Sequence, residues 1–250
     1  MKKLITVIAF IVTSCCADVG INIGDVAWTY AGGNTYAGSW ATSSGFDPAS
    51  LSPLCWWKFE DGLTDEMGNF DLSTGGGTIT YASGLKGKGA YFGGSAFATS
   101  ASMAANFSTE ATFVIWLSRT ANPPVAGNRT GFLALSTGSP YTHYPYTDGN
   151  VYMKIWLSSR ITISNTGLDY RTWNMFTVRT KPGAGGYSIF QNTNKVLNTT
   201  GPATVPLTTA IRIGRNEGSD YYKGTLDEGM IFTRWLSDAE IFQLYNWGTP

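Results

Sequence analysis

Apolar residues recur along this chain in short bursts, not at helical spacing. After Leu51 the bursts run Cys55–Glu60, Phe70–Leu72, Thr78–Tyr81, Gly89–Phe92, Thr112–Leu117, Phe132–Leu135, Val151–Leu157, Arg160–Ser164, Thr172–Val178, Tyr187–Phe190, Ala210–Gly214 and Leu226–Phe232. They are rich in β-branched and aromatic side chains, which suit a pleated surface. Gly, Asn, Asp or Pro stands between most neighbours. About a dozen short strands with turn signals at this spacing predict an all-β, two-sheet antiparallel β-sandwich. Thr112–Leu117 is almost continuously apolar, so a central strand covered on both faces is expected there. Trp56 and Trp57 are adjacent, and strand alternation places their rings on opposite faces.

The C-terminal stretch breaks this rhythm. Leu226–Phe232 reads as a closing strand, and a helix follows. Ser237 and Glu240 have the spacing of a capping box, so the helix is expected to begin at Ser237. Ile241, Leu244 and Tyr245 then form one apolar stripe, which needs a surface to dock on.

Several segments in order resemble bacterial LamG-like, or concanavalin A-like, jelly-roll domains. They are Trp57–Asp61 with Asp65–Asn69, Gly87–Phe92, Phe113–Leu117, Trp173–Phe176, Tyr187–Phe190, Ile211–Arg215, Gly224–Glu228 and Leu236–Ile241. The resemblance covers roughly residues 52–247. It implies two stacked antiparallel sheets with a short C-terminal helix packed at the edge. The chain departs from the family pattern at Phe92–Phe97 and at Asn192–Asn194, which weakens any transfer of a loop-borne metal site.

The start of the chain has a different character. Lys2 and Lys3 precede the apolar stretch Leu4–Val12, and Ala17 offers a small residue for cleavage. This is the pattern of an export signal over residues 1–17. The apolar stretch is far below the roughly 20 residues a membrane-spanning helix needs. Val12–Cys15 also resembles a bacterial lipoprotein box, so acylation at Cys15 and plain cleavage after Ala17 are both open. Residues 18–50 are rich in Gly, Ala, Ser and Thr and dotted with aromatics. They read as a spacer, or as an extra strand pair or docking arm. Asp47 and Pro48 mark the turn into a main domain over residues 51–250.

Composition narrows the partners. Charged residues make up 14% and formal net charge is zero; without Lys2 and Lys3, 15 basic residues face 17 acidic ones. Nothing basic is concentrated enough to hold nucleic acid. Cys15 and Cys16 lie in the signal, so Cys55 has no partner for a disulfide within the main domain and reads as a small buried hydrophobe.

Catalytic motifs are missing. His143 is the one histidine of the chain, which excludes zinc sites built on two or more His. No serine sits in a nucleophile elbow. Gly84–Gly89 fits no phosphate-loop pattern and reads as a turn between strands. Glycosidases need two carboxyl groups facing one cleft, roughly 5–5.5 Å apart when they retain configuration. Asp227 and Glu228 are adjacent and are expected on opposite sides of a strand. The expectation is therefore a non-catalytic domain, with glycoside hydrolysis the least favoured reading.

Two loops carry the aromatic and polar groups that sugar recognition needs. One holds Tyr141, His143, Tyr144, Tyr146, Asp148 and Asn150. The other holds Asn216, Asp220, Tyr221 and Tyr222. Each also reads simply as a cover over the sandwich rim. Asp65, Asn69 and Asp227 are candidate ligands for a structural Ca²⁺, which takes six to eight oxygens. Their other reading is bonding to turn backbone. The leading expectation is an exported, surface-associated domain that binds polysaccharide, a glycoprotein glycan or matrix. Its membrane contact would be a lipid anchor at Cys15. The alternative is a surface-layer or virion subunit that docks on a protein partner through residues 18–50.

Overall fold

The computed structural model describes residues 27–29, 35–37, 45–107, 109–120, 131–135, 142–146, 148–157, 159–164, 168–203, 210–216 and 220–249. The export signal, Cys15, most of the 18–50 segment and Tyr141 lie outside the described residues. The chain divides into two compact units, residues 1–45 and 46–250. In the first, β1 (Ala27–Thr29) pairs antiparallel with β2 (Thr35–Ala37), with Trp28 opposite Tyr36.

The second unit opens with a short 3₁₀ turn over Pro48–Leu51, capped by the Asp47 carboxylate, which accepts the Ala49 N–H at 2.9 Å. Its strands are β3 (Cys55–Trp57), β4 (Leu72–Gly76), β5 (Ile79–Ser83), β6 (Lys88–Gly93), β7 (Phe97–Ser100), β8 (Ala111–Arg119), β9 (Leu133–Leu135) and β10 (Thr142–His143). Then come β11 (Val151–Met153), β12 (Ile161–Ile163), β13 (Asn174–Thr180), β14 (Gly183–Gln191), β15 (Asn194–Gly201), β16 (Ile211–Ile213) and β17 (Lys223–Phe232), and finally the helix α1 (Asp238–Gly248).

Eight of these strands form one sheet in the order β15-β14-β13-β8-β17-β6-β5, with β3 also paired to β17. A four-stranded sheet runs β4-β7-β16-β9, and a three-stranded one runs β10-β11-β12. The sandwich expectation holds, but the layer facing the large sheet is divided in two. Strands β7, β10 and β15 were not anticipated.

Alternation along β8 explains the layering. Phe113, Ile115 and Leu117 point into the sandwich core with Trp57, Val178, Leu226 and Ile231. Leu72, Ala98, Leu133, Ile211 and Ile213 meet them from the four-stranded sheet, and Val151, Met153 and Ile163 from the three-stranded one. Val114 and Trp116 point the other way, into a second core with Trp56, Met175, Met230 and Phe232. All of Ala111–Leu117 is buried, as a doubly covered strand requires.

The cover on the second face is α1. Leu236, Ile241 and Leu244 pack into that core, and Tyr245 stacks on Trp116 at 5.5 Å. Gly248 lies so close that a Cβ there would come within 2.3 Å of Trp116. The capping box is present: Ser237 Oγ accepts the Glu240 N–H at 3.2 Å, and Glu240 accepts the Ser237 N–H at 2.7 Å. Arg179, buried at 2% exposure, bonds Ser188, the Leu236 carbonyl and Asp238, which fastens the helix start to the sheet. The helix therefore covers a sheet face, not the edge implied by the family resemblance.

Candidate functional site

The Asp65 turn is built by its own carboxylate. Oδ1 accepts the N–H groups of Trp56 at 2.7 Å and Met67 at 3.0 Å. Oδ2 accepts those of Asn69 at 2.9 Å and Phe70 at 2.8 Å. Asn69 donates its side-chain amide to the Leu54 carbonyl at 2.8 Å. Asp227 does the same work across the sheet: Oδ2 accepts from Leu85 N and Lys86 N at 2.7 and 3.2 Å, and Oδ1 from Glu228 N at 2.8 Å. These are the turn-backbone roles weighed against calcium in the sequence. Among the described residues no group of three or more His, Cys, Asp or Glu is arranged to hold a metal ion. Gly84–Gly89 spans the turn joining β5 to β6, and its amides are taken by carboxyls of the chain itself: Leu85 and Lys86 donate to Asp227, and Lys88 to Glu60 at 3.0 Å.

Asp227 and Glu228 do not take opposite sides. The register of β17 against β8 shifts between Asp227, opposite Trp116, and Met230, opposite Val114. Three steps on one strand match two on the other, so one residue is extra, and Glu228 adopts φ +50°. This is a β-bulge, which interrupts strict alternation. Asp227 shares the face of Trp116, and Glu228 accepts a hydrogen bond from the Trp56 indole on that same face. Both carboxyls are buried, at 0% and 2% exposure. Burial pushes Asp227 up to about 7 despite its three amide donors. Burial, then the charge of Asp227, pushes Glu228 up to about 8. The pair shares a face but does not line an open cleft.

The two aromatic loops are brought together. His143 Nδ1 lies 3.8 Å from Asp220 Oδ2, and the Asn216 amide donates to Asp220 Oδ2 at 3.0 Å. The His143 ring meets Tyr146 edge-on at 4.8 Å, and Tyr146 meets Tyr152 at 5.4 Å. Asp148 accepts the Asn150 N–H at 2.9 Å and the Tyr152 hydroxyl. That hydroxyl is the main reason the Asp148 carboxyl sits below its ordinary range. The Arg160 guanidinium lies 4.6 Å from the Tyr152 ring. On the other side Arg215 lies 4.8 Å from Phe97 and 5.3 Å from Tyr221.

Tyr146 and Tyr221 are half-buried, and Asp148 is exposed. Tyr144 and Tyr222 are not open faces, at 1% and 0% exposure. Tyr144 packs edge-on against Tyr170 at 5.1 Å and Phe132 at 5.7 Å. Tyr222 turns inward and donates to the Ser118 carbonyl at 3.0 Å. They are core residues beneath the loops. Tyr152, Arg160, Phe97 and Arg215 join the surface without having been singled out. Tyr152 had a signal: it lies between the buried Val151 and Met153, so alternation turns it outward.

A doubly covered antiparallel sandwich closed by a C-terminal helix defines a jelly-roll class of β-domain. The model of the concanavalin A-like lectin/glucanases superfamily, of laminin G type, matches residues 92–242, more than half of the chain. The chain belongs to that family. No curated protein sequence matches it. Among solved structures it is similar to domain 4 of the extracellular arabinanase AbnA of Geobacillus stearothermophilus, solved with arabinotriose. That match has a TM-score of 0.63 and 19% identity over 77% of this chain and 97% of that one. It is also similar to the receptor-binding domain of botulinum neurotoxin C/D mosaic serotype, with TM-score 0.61, 13% identity and 80% and 55% coverage. The serotype D ligand-binding domain, solved with N-acetylneuraminic acid, matches with TM-score 0.59, 14% identity and 82% and 56% coverage. The chain thus spans little more than half of the neurotoxin domains. Among the described residues no helix is long and apolar enough to cross a membrane.

Proposed function

We propose that this is an exported domain that binds carbohydrate without transforming it, at the surface formed by Tyr146, Asp148, Tyr152, Asp220 and Tyr221 over His143, which is buried. One observation carries the reading: two loops far apart in sequence converge through His143 and Asp220. Together they present aromatic rings beside carboxylate and amide groups, the combination that recognises sugars. The arabinotriose and N-acetylneuraminic acid in related structures support it. Export rests on the pattern of residues 1–17. We read Asp65 and Asp227 as anchors of backbone turns in preference to calcium ligands.

A glycan array probed with the full chain tests the reading. It should return a polysaccharide or glycan ligand. Tyr146→Ala and Tyr221→Ala should each weaken that ligand roughly five- to tenfold, since an aromatic contact is worth about 1 kcal/mol. An array without any ligand would defeat the proposal. It would favour the assembly subunit, for which the pairing of β1 with β2 within residues 18–50 speaks.

A further inference from the structure

The aromatic surface has an arginine at each end. In β16, Ile211 and Ile213 are buried in the core and Arg212 between them is half-buried, so alternation turns it outward. Its register partner in β7 is Thr99. Phe97 shares that outer face, since Ala98 and Ser100 are the buried positions of the strand. The rings of Phe97 and Tyr221 lie 6.4 Å apart, with the Arg215 guanidinium beside both. At the other end Arg160 is exposed and its guanidinium lies 4.6 Å from the Tyr152 ring. Tyr152, Tyr146 and His143 then lead by ring contacts to Asp220, the residue before Tyr221. The two small sheets that carry this path are stitched together. Thr142 Oγ1 in β10 accepts the Leu133 N–H of β9 at 3.0 Å and donates to its carbonyl at 2.9 Å, and β9 pairs with β16.

Formal net charge is zero over the chain, but its charges are unevenly matched. Among the described residues Arg171, Arg179 and Arg234 are each paired with a carboxylate, and Arg160 and Arg212 are not. The acids of the surface are already engaged: Asp148 accepts from the Asn150 N–H and the Tyr152 hydroxyl, and Asp220 from the Asn216 amide. A guanidinium laid on an aromatic ring still directs its N–H groups outward in its own plane. That fork fits a carboxylate through two parallel hydrogen bonds. Arg160 and Arg212 stand at opposite ends of the aromatic path, so a lone carboxylate meets only one of them. A chain of acidic sugars meets both.

We propose that the ligand of this surface is a polyuronate, a polysaccharide with a carboxylate on each sugar. Arg160 holds it at one end, and Arg212 with Arg215 at the other. The inference rests on the carbohydrate-binding reading and narrows it from glycans in general to acidic ones. Between the arginines the sugar rings lie on Tyr152, Tyr146 and Tyr221.

The experiment titrates short oligomers of galacturonate, guluronate and mannuronate into the full chain by calorimetry, each beside its methyl ester, which has the same sugars without the charge. At least one acid should bind the parent roughly tenfold more tightly than its ester, at about threefold for each solvent-facing arginine. The gap should narrow as salt is raised. Arg160→Gln and Arg212→Gln should each weaken the acid about threefold and leave the ester and the melting temperature unchanged. Arg234→Gln, which alters an arginine bonded to Glu240 of the helix, should leave the preference intact. Equal binding of acid and ester in every pair would overturn the inference and leave the carbohydrate reading standing. So would a preference that survives Arg160→Gln and Arg212→Gln combined. If none of the acids binds, the inference falls as well, and the glycan array alone decides the carbohydrate reading.

Discussion

Asp65 shows how much one buried side chain can organise. Four backbone N–H groups converge on its two oxygens, joining β3 to the turn that follows it. Leaving buried donors unmatched costs about 1–3 kcal/mol each. Asp65→Ala should therefore lower stability by at least about 3 kcal/mol in urea melts, by the same amount with millimolar calcium as with chelator. A smaller loss with chelator would restore a metal role. The sequence showed that residues 65–69 form an acidic turn. It did not show where the amides point, because that depends on β3 passing alongside. The same limit applied to the tyrosines. In Tyr221 and Tyr222 the chain offers two identical rings, and only the packing around Ser118 decides which one faces inward. Trp56 and Trp57 were easier, since they sit in a regular strand where alternation holds.

At the scale of elements, the bulge in β17 is the feature that the pattern concealed. One extra residue shifts the phase, and two acids expected on opposite faces share one. Glu60 and Lys58 also bear on Glu228, the first raising and the second lowering its pKa. Both buried acids hold their protons more tightly in the folded chain than in the unfolded one. Stability is then greatest in mild acid, falls as pH rises from about 4 while the unfolded chain releases protons, and levels off above about 8. Melting temperature should drop between pH 5 and pH 8. Glu228→Gln, which can still accept the Trp56 indole N–H, should flatten much of that drop. An unchanged profile would show that Glu228 ionises freely in the fold. The helix, by contrast, was legible from Ser237 and Glu240 alone, since a capping box depends only on local spacing. Its docking face was not, because the family resemblance placed it at an edge and only Trp116 and Gly248 reveal the contact.

Over the whole molecule, the sandwich was readable because turn residues punctuate apolar bursts at strand-length intervals. Two of the strands that escaped notice have little apolar bulk to bury, and the third, Thr142–His143, is only two residues of polar type. Asn194–Gly201 is mostly exposed at the margin of the large sheet, so its residues carry no core signature. Phe97–Ser100 is built largely of small residues for a similar reason. With both faces of the large sheet covered in its centre, the proposed recognition surface lies where the two aromatic loops meet.

The placing of β17 has a consequence for how this chain is made. The strand that sits between β8 and β6 and also binds β3 follows all three of them in the sequence and so is synthesised after them. Until it arrives, the earlier strands have a gap where their common neighbour belongs, and contacts so distant in sequence slow folding. A ribosome would hold those earlier strands open to proteases until residues 223–232 emerge. A chain stopped after Asp220 should stay sensitive to trypsin throughout, while the full chain should become resistant once released. A resistant core in the truncated product would mean that the first strands can close upon themselves.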